Sequence, residues 1–161
     1  MSVRKKPWNR TDHPVYSISS TDGIENNMHI ISYVTAISMQ PKRFIVGIYE
    51  GTKTLELVKK KKEFVLQLLS DQQYSLVRLL GQQSGHHINK ISRLQKRDLL
   101  TEWRNYPVLK DALSILHLKI IDQMNGGDHI GFLCDVVAYK NINSGTPLTL
   151  DLLREKQIIR G

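Results

Sequence analysis

The triplet Gly127-Asp128-His129 places a carboxylate and an imidazole side by side, directly after a glycine. An imidazole gains or loses its charge near neutral pH, and a neighbouring carboxylate can orient the ring. Segments of alternating apolar residues lie on both sides of the triplet. The motif therefore predicts a histidine positioned at the end of a strand. The alternative interpretation is an ordinary Gly-Asp turn that enters the strand.

The elements around this triplet are predicted to be mostly strands. Leu116 to Ile121 and Ile130 to Ala138 each alternate, and Gly126-Gly127 supplies a turn, so the two segments predict a hairpin. Upstream, Met28 to Met39 is rich in β-branched residues and carries apolar side chains on both faces. This pattern predicts one strand buried on two sides, as in the wall of a barrel, which ends before Pro41.

Short helices are predicted between the strands. One opens at Thr52-Lys53-Thr54, with Thr54 as its N-cap, and a second begins with Asp71 as its cap. Thr149 would cap a third, C-terminal helix. The pattern gives six or seven strands with two or three short helices. Short connections favour a closed antiparallel barrel over a doubly wound parallel sheet, which needs a helix between each pair of strands.

The 161 residues fit one domain, with residues 1–13 as a polar tail and residues 14–161 as the domain. The apolar content of 40% and the charged content of 24% are ordinary for a globular protein. No apolar run is long enough for a signal peptide or a membrane span, so the expected location is the cytoplasm, without membrane contact. A single cysteine, Cys134, fits a reducing compartment and is expected in the core.

Several kinds of site find no support in the sequence. Cys134 stands alone, and the adjacent His86 and His87 would point apart, so no metal site is predicted. No Gly-x-Gly-x-x-Gly or Gly-Lys-Ser/Thr loop is present, which leaves the usual dinucleotide and triphosphate sites unsupported. The net charge of +8 attracts phosphates, but no aromatics alternate with the basic residues as in nucleic-acid binders. A nucleic-acid partner is therefore not predicted.

An ordered series of short motifs runs through most of the chain. It comprises Pro14-Val15, Asp22-Gly23, Asn27-Met28, Ser32 to Ser38, Pro41, Thr54-Leu55, Phe64 to Leu69, Asp71-Gln72-Gln73, Ser84-Gly85 with Lys90, Pro107-Val108-Leu109 and Gly127-Asp128-His129. From about Pro14 to Ala138 the series resembles the flavin reductase-like family, the FMN-binding split barrels. The resemblance implies a mainly β, Greek-key-like antiparallel split barrel with a few short helices. It also implies a homodimer with one FMN per subunit near the subunit interface.

The resemblance assigns roles to individual residues. The implied cofactor-binding residues are Asn27, Met28, Ser32, Thr35, Ser38, Thr52, Lys53, Thr54 and Lys90. Strand hydroxyls would face the ring and the ribityl chain, and Thr54 at a helix start would bind the phosphate, because helix N-termini favour anions. His129 would contact the nicotinamide, with Asp128 orienting it. The chain departs from the family at His29, where Thr or Ser is frequent, and at His117, where glutamate is frequent.

The expected function is that of an FMN-binding oxidoreductase that transfers hydride from NADH or NADPH to flavin, with FAD as the alternative flavin. In such an enzyme the protein aligns the cofactors, which carry the chemistry themselves. A second hypothesis is an FMN-binding electron carrier, similar to flavoredoxins, that is reduced by a protein partner. A third is a basic nucleic-acid-binding barrel, for which salt-dependent binding of DNA or RNA would be required.

Overall fold

A computed structural model describes residues 5–160 of the chain, which form nine strands and four α-helices. The strands are β1 (Tyr16–Thr21), β2 (Asn26–Ile31), β3 (Val34–Ser38), β4 (Arg43–Tyr49), β5 (Glu63–Leu68), β6 (Leu100–Trp103), β7 (Tyr106–Leu109), β8 (Ser114–Asn125) and β9 (His129–Asn141). The α-helices are α1 (Lys53–Lys61), α2 (Val77–Gly81), α3 (Lys90–Lys96) and α4 (Leu150–Glu155). Two short 3-10 helices cover Pro7–Asn9 and Asp71–Leu76.

Seven of the strands form one antiparallel sheet, in the order β2-β1-β5-β8-β9-β4-β3. The strands at its two edges, β2 and β3, are consecutive in the chain, and only Ser32 and Tyr33 separate them. Because the three residue steps from Ile31 to Val34 span at most about 11 Å, the two edges must lie close together. The sheet therefore curls into a barrel, which confirms the predicted closed antiparallel architecture.

The prediction of a single strand from Met28 to Met39 is wrong. The segment forms β2 and β3 on opposite edges of the sheet, with a break at Ser32-Tyr33. Its second half is not buried on two faces, since Ile37 is 52% and Met39 88% exposed. The segment has apolar side chains on both faces because it contains two strands, and each strand lies in a different environment.

The barrel interior is filled by one apolar cluster, and the helices cover a second one. The interior cluster draws Phe64, Leu118, Phe132 and Cys134 from different strands, and α1 contributes Leu55 and Val58. The expected burial of Cys134 is confirmed, and burial raises the pKa of its thiol to about 12. The second cluster joins α2, α3 and α4 to the outer face of β2 and combines these residues: Met28, Leu80, Ile91, Leu94 and Leu153.

Two of the helices begin one or two residues away from where the sequence pattern predicts. Thr52, and not Thr54, is the N-cap of α1, because its side chain accepts a hydrogen bond from the Leu55 amide. Ser70, and not Asp71, caps the 3-10 helix that precedes α2, with Gln73 completing a capping box. The predicted cap of the C-terminal helix is confirmed, since Thr149 accepts from the Leu152 amide at 3.4 Å.

Two hairpins have turns that contain residues with positive φ. The predicted hairpin across Gly126-Gly127 is confirmed as β8 and β9, which extend beyond the predicted ends. Gly127 has a φ of +91°, a value that L side chains rarely adopt. The second hairpin, β6–β7, forms a small separate sheet joined by Arg104 and Asn105. Both of these turn residues have positive φ, as a two-residue type I′ turn requires.

The N-terminal segment contacts the C-terminal helix. Asp12 accepts a hydrogen bond from the Asp151 amide at 2.9 Å, and the Leu150 amide donates to the His13 carbonyl. Of the predicted tail, residues 1–4 lie outside the described residues. Within residues 5–160, no helix has the length and apolar character needed to cross a bilayer. The same residues contain no group of three or more side chains arranged to bind a metal ion.

Candidate functional site

A cleft of about 260 Å³ lies beside the N-terminus of α1. Its walls come from β2, from the connection between β4 and α1, and from the loop of residues 82–89. It brings together several of the predicted cofactor-binding residues, namely Asn27, Thr52, Lys53, Thr54 and Lys90. These residues are far apart in the sequence, and the barrel places them around one depression.

Asn27 joins the strand wall of the cleft to its helix wall. Its side-chain amide donates a hydrogen bond to the Thr54 hydroxyl at 3.1 Å, and both residues are buried. The loop closes over the same amide at Gly85, where an added Cβ would lie 2.5 Å from Asn27 Oδ1. Only glycine allows this approach, so Gly85 and Asn27 fix the position of the loop.

The first turn of α1 combines an oriented hydroxyl with a cationic side chain. The Thr52 hydroxyl accepts from the Leu55 amide and donates to the Tyr49 carbonyl at 2.9 Å, so its orientation is fixed. Lys53 stands beside it and pairs with Glu25 at 2.6 Å, a hydrogen bond that raises the pKa of the ammonium group. Amide N–H groups at a helix start and a neighbouring cation together favour a phosphate or carboxylate.

Lys90 supplies a second, buried cation. Only 2% of this residue is exposed, and its ammonium donates to the Leu80 carbonyl at 2.9 Å, near the C-terminal end of α2. Burial lowers the pKa of Lys90 to about 8, so the side chain remains mostly charged at neutral pH. A lysine ammonium has three donors, and one carbonyl partner leaves capacity for a ligand in the cleft.

His29, on β2, lies in the same cleft and was not among the predicted binding residues. Its Nδ1 atom is buried and has no hydrogen-bond partner within residues 5–160. Burial, followed by the nearby charges of Lys90 and His129, lowers the pKa of His29 to about 4, so the ring is neutral at pH 7. The sequence signal that could have identified His29 is its position directly after Asn27-Met28, where hydroxyl residues are frequent in the resembled family.

His129 occupies the first position of β9, between two tyrosines. Its ring makes edge contacts with Tyr33, at 4.7 Å between centroids, and with Tyr49, at 5.1 Å. Its Nδ1 lies 2.7 Å from the Asp128 carboxylate. Tyr49 also lines the cleft. The histidine is therefore adjacent to the cleft, behind a half-exposed tyrosine.

Four predicted cofactor-binding residues lie outside this cleft. Ser32 and Thr35 line a separate shallow depression that includes Tyr33, and Ser38 ends β3. The Met28 side chain is fully buried in the helix-covered cluster, where Gln67 donates to its sulfur at 3.5 Å. His129 lies between the two depressions, because Tyr33 lines one of them and Tyr49 the other.

The arrangement suits a ligand that combines an anionic group with a polar ring. The anion would meet the start of α1, and the ring would meet the neutral His29, the Lys90 ammonium and Tyr49. The unpartnered His29 Nδ1 is the kind of buried polar atom that a ligand satisfies.

Comparison with known proteins gives one family and one fold. A model of the family described as flavin reductase like domain matches residues 8–155. An uncharacterised protein of Pyrococcus abyssi is 29% identical over 126 residues, which are 77% of this chain and 71% of that protein.

Two solved structures share the barrel. An FMN-binding protein from Thermus thermophilus superposes with a TM-score of 0.76 at 21% identity, over 91% of this chain and 83% of its own. The NADH:FAD oxidoreductase SgcE6 of Streptomyces globisporus reaches a TM-score of 0.78 at 14% identity, over 92% of each chain. These likenesses confirm the split-barrel fold, and the family match covers most of the sequence. The chain belongs to the flavin reductase like domain family.

Proposed function

We propose that the protein is an FMN-binding oxidoreductase that accepts hydride from NADH or NADPH. The observation that carries the proposal is the cleft beside α1, which joins Asn27, Thr52, Lys53, Thr54 and Lys90 around one depression. The family to which the chain belongs is a flavin reductase family, and the related folds include an FMN-binding protein and an NADH:FAD oxidoreductase.

The residues present fit an FMN molecule. Its phosphate would bind at the start of α1, where Thr52 and Lys53 flank free amides and the helix dipole favours an anion. Its ring would lie toward Lys90 and His29, whose unpartnered Nδ1 needs a hydrogen bond from a ligand or water. FAD is the alternative flavin, with the same phosphate and ring contacts. Bound flavin would supply the hydride-accepting chemistry.

His129 and Asp128 would act on the nicotinamide side of the site. The carboxylate of Asp128 lies 2.7 Å from Nδ1 and holds one tautomer, which leaves Nε2 to contact a carboxamide. Tyr33 and Tyr49 fix the ring from two sides. His129 would thus align the nicotinamide, a step that needs no proton from the protein.

The remaining predicted residues would contribute less directly to flavin binding; they are Ser32, Thr35, Ser38 and Met28. Ser32 and Thr35 face the depression on the other side of Tyr33, and they would serve the ribityl chain or a ligand shared across a subunit interface. Ser38 would extend this hydroxyl row at the end of β3, and Met28 would contribute through its backbone and through packing.

A homodimer forms part of the proposal. Large apolar side chains remain exposed on the outer barrel surface, among them Ile37, Met39, Val137 and Tyr139. Their burial against a second copy would remove this apolar surface from water. Light scattering after gel filtration should give the mass of two chains at micromolar protein, and a monomer would remove the shared-interface part of the proposal. The reducing cytoplasm, which supplies NADH and NADPH, is the proposed location.

Steady-state kinetics tests the activity. Purified protein with micromolar FMN should oxidise NADH or NADPH continuously in air, with a rate that depends on added flavin. The electron-carrier hypothesis predicts instead a tightly held flavin and no turnover until a redox partner is added. Absence of flavin binding would contradict both hypotheses.

A further inference from the structure

A second cleft, of about 550 Å³, lies between the β1–β2 turn, the end of α1 and the turn of the β6–β7 hairpin. It shares no lining residue with the cleft beside α1. The residues that matter for its chemistry are Lys61, Glu63, Arg104, Tyr106 and His117. They come from four different elements of the chain.

A chain of contacts orients Arg104 in this cleft. Its Nε donates to His117 Nδ1 at 2.9 Å, which places the imidazole proton on Nε2, 3.3 Å from the Glu63 carboxylate. Burial is the largest cause that lowers the pKa of His117; the Glu63 carboxylate opposes this shift, and the Arg104 charge adds to it. The ring is therefore a neutral acceptor for Arg104. The terminal guanidinium nitrogens make no hydrogen bond to another residue between 5 and 160.

Tyr106 provides the observation that points to a ligand. It is 2% exposed, and its hydroxyl has no hydrogen-bond partner within the described part of the chain. Burial and the nearby Glu63 charge raise the pKa of Tyr106 to about 12, so the hydroxyl keeps its proton and remains a donor. A buried hydroxyl without a partner is destabilising, and an external acceptor can offset this cost.

The backbone at Arg104 is also unusual. Arg104 has a φ of +52° at a turn position where Asn, Asp or Gly is preferred. A larger side chain in this region strains the backbone. The strained position directs the arginine toward His117, a contact that a smaller residue would not make.

We propose that this second cleft binds the phosphate or carboxylate group of a small molecule. Arg104 and Lys61 provide two cations against the single Glu63 carboxylate, which is already engaged by His117. The Arg104 guanidinium offers the paired donors that oxyanions require, and the Tyr106 hydroxyl adds a neutral donor. The residues of this site are distinct from those of the proposed flavin cleft.

Ring signals of His117 and Tyr106 provide the readout. Protein saturated with FMN, so that the other cleft is filled, is titrated separately with inorganic phosphate and with acetate while these signals are followed by NMR. At least one probe should shift them saturably, and the stronger probe identifies the anion class. Y106F should weaken binding about fivefold or more, since it removes one hydrogen bond only.

Two variants that change the charge of the cleft should shift anion affinity in opposite directions. R104Q should weaken the same binding about tenfold or more, whereas E63Q should strengthen it, because the opposing carboxylate is removed. R78Q, which removes an exposed cation elsewhere, is the matched control and should bind like the natural protein. Linear shifts without saturation for both probes, or equal binding by Y106F and the natural protein, would overturn the proposal.

Discussion

The Asn27 amide and the Thr54 hydroxyl meet at 3.1 Å, 27 positions apart in sequence, and join β2 to the first turn of α1. Both side chains are buried, so each depends on the other for its hydrogen bond. Through Gly85, the same amide also positions the loop of residues 82–89. This contact therefore fixes three walls of the proposed flavin cleft.

Replacement of Thr54 by valine keeps the side-chain shape but leaves the Asn27 amide without a partner. We expect T54V to lower the free energy of unfolding by about 1–3 kcal/mol, the cost of an unsatisfied buried donor. FMN affinity should fall as well, because the loop loses its fixed contact. Urea denaturation and fluorescence titration with FMN measure the two effects. T101V, at an exposed threonine of β6, is the control; equal stability of the two variants would contradict this role.

The buried His29 should make stability depend on pH. Its pKa is about 4 in the folded chain and near 6.5 in the unfolded chain, so between these values the unfolded state binds more protons. Stability should therefore rise from pH 4 to pH 6.5 and be lost as pH falls, by at most about 1.4 kcal/mol per pH unit from this group.

Replacement of His29 by threonine should reduce that slope, because the titrating group is gone. Urea midpoints at pH 4.5, 5.5 and 6.5 for the natural protein and H29T measure it. H87T, at an exposed histidine, should keep the natural slope. Parallel pH profiles for the natural protein and H29T would show that His29 is not held neutral by burial.

Lys90 should make flavin binding weaker at alkaline pH. Its pKa of about 8 in the ligand-free protein means that the cation is mostly lost by pH 9. A phosphate-bearing flavin would then lose an attractive charge, so the FMN dissociation constant should increase several-fold from pH 7 to pH 9. K90M should bind weakly at both pH values, without this change. If FMN affinity falls by the same factor in K90M between pH 7 and pH 9, the pH dependence belongs to another group.

Replacement of His129 should weaken the binding of the nicotinamide nucleotide and leave the binding of flavin unchanged. H129N removes the ring that Tyr33 and Tyr49 hold, but leaves the walls of the flavin cleft intact. We expect an increased KM for NADH or NADPH, by about tenfold, with an FMN dissociation constant within twofold of the natural value. H87N, at an exposed histidine that lines neither depression, is the control. A loss of FMN affinity in H129N would indicate instead that His129 contributes to flavin binding.

The architecture could be predicted from the sequence because local signals decided it. The β8–β9 hairpin followed from two alternating segments around Gly126-Gly127, and Thr149 was correctly identified as a cap. Short connections between alternating segments indicated a barrel. The prediction of one strand from Met28 to Met39 was wrong because the break at Ser32-Tyr33 contains no Pro or Gly, the residues that usually indicate a break.

Which of the candidate residues share one depression could be predicted only in part, because their grouping depends on long-range packing. Thr52, Lys53, Thr54 and Lys90 meet only once α1 and the loop of residues 82–89 close on β2. The break between β2 and β3 directs Ser32 and Thr35 to a different depression. The burial of His29 and the contact of Arg104 with His117 arise from side chains that no local pattern joins.

Anaerobic reduction of the FMN-loaded protein shows whether a nicotinamide nucleotide reduces the bound flavin. Excess FMN is removed, NADH and then NADPH are added without oxygen, and the flavin absorbance near 450 nm is followed by stopped flow. We expect retained flavin and rapid bleaching by at least one nucleotide, with slower bleaching in H129N at subsaturating nucleotide. Retained flavin that stays oxidised with both nucleotides would contradict the reductase assignment and favour an electron carrier with a protein donor.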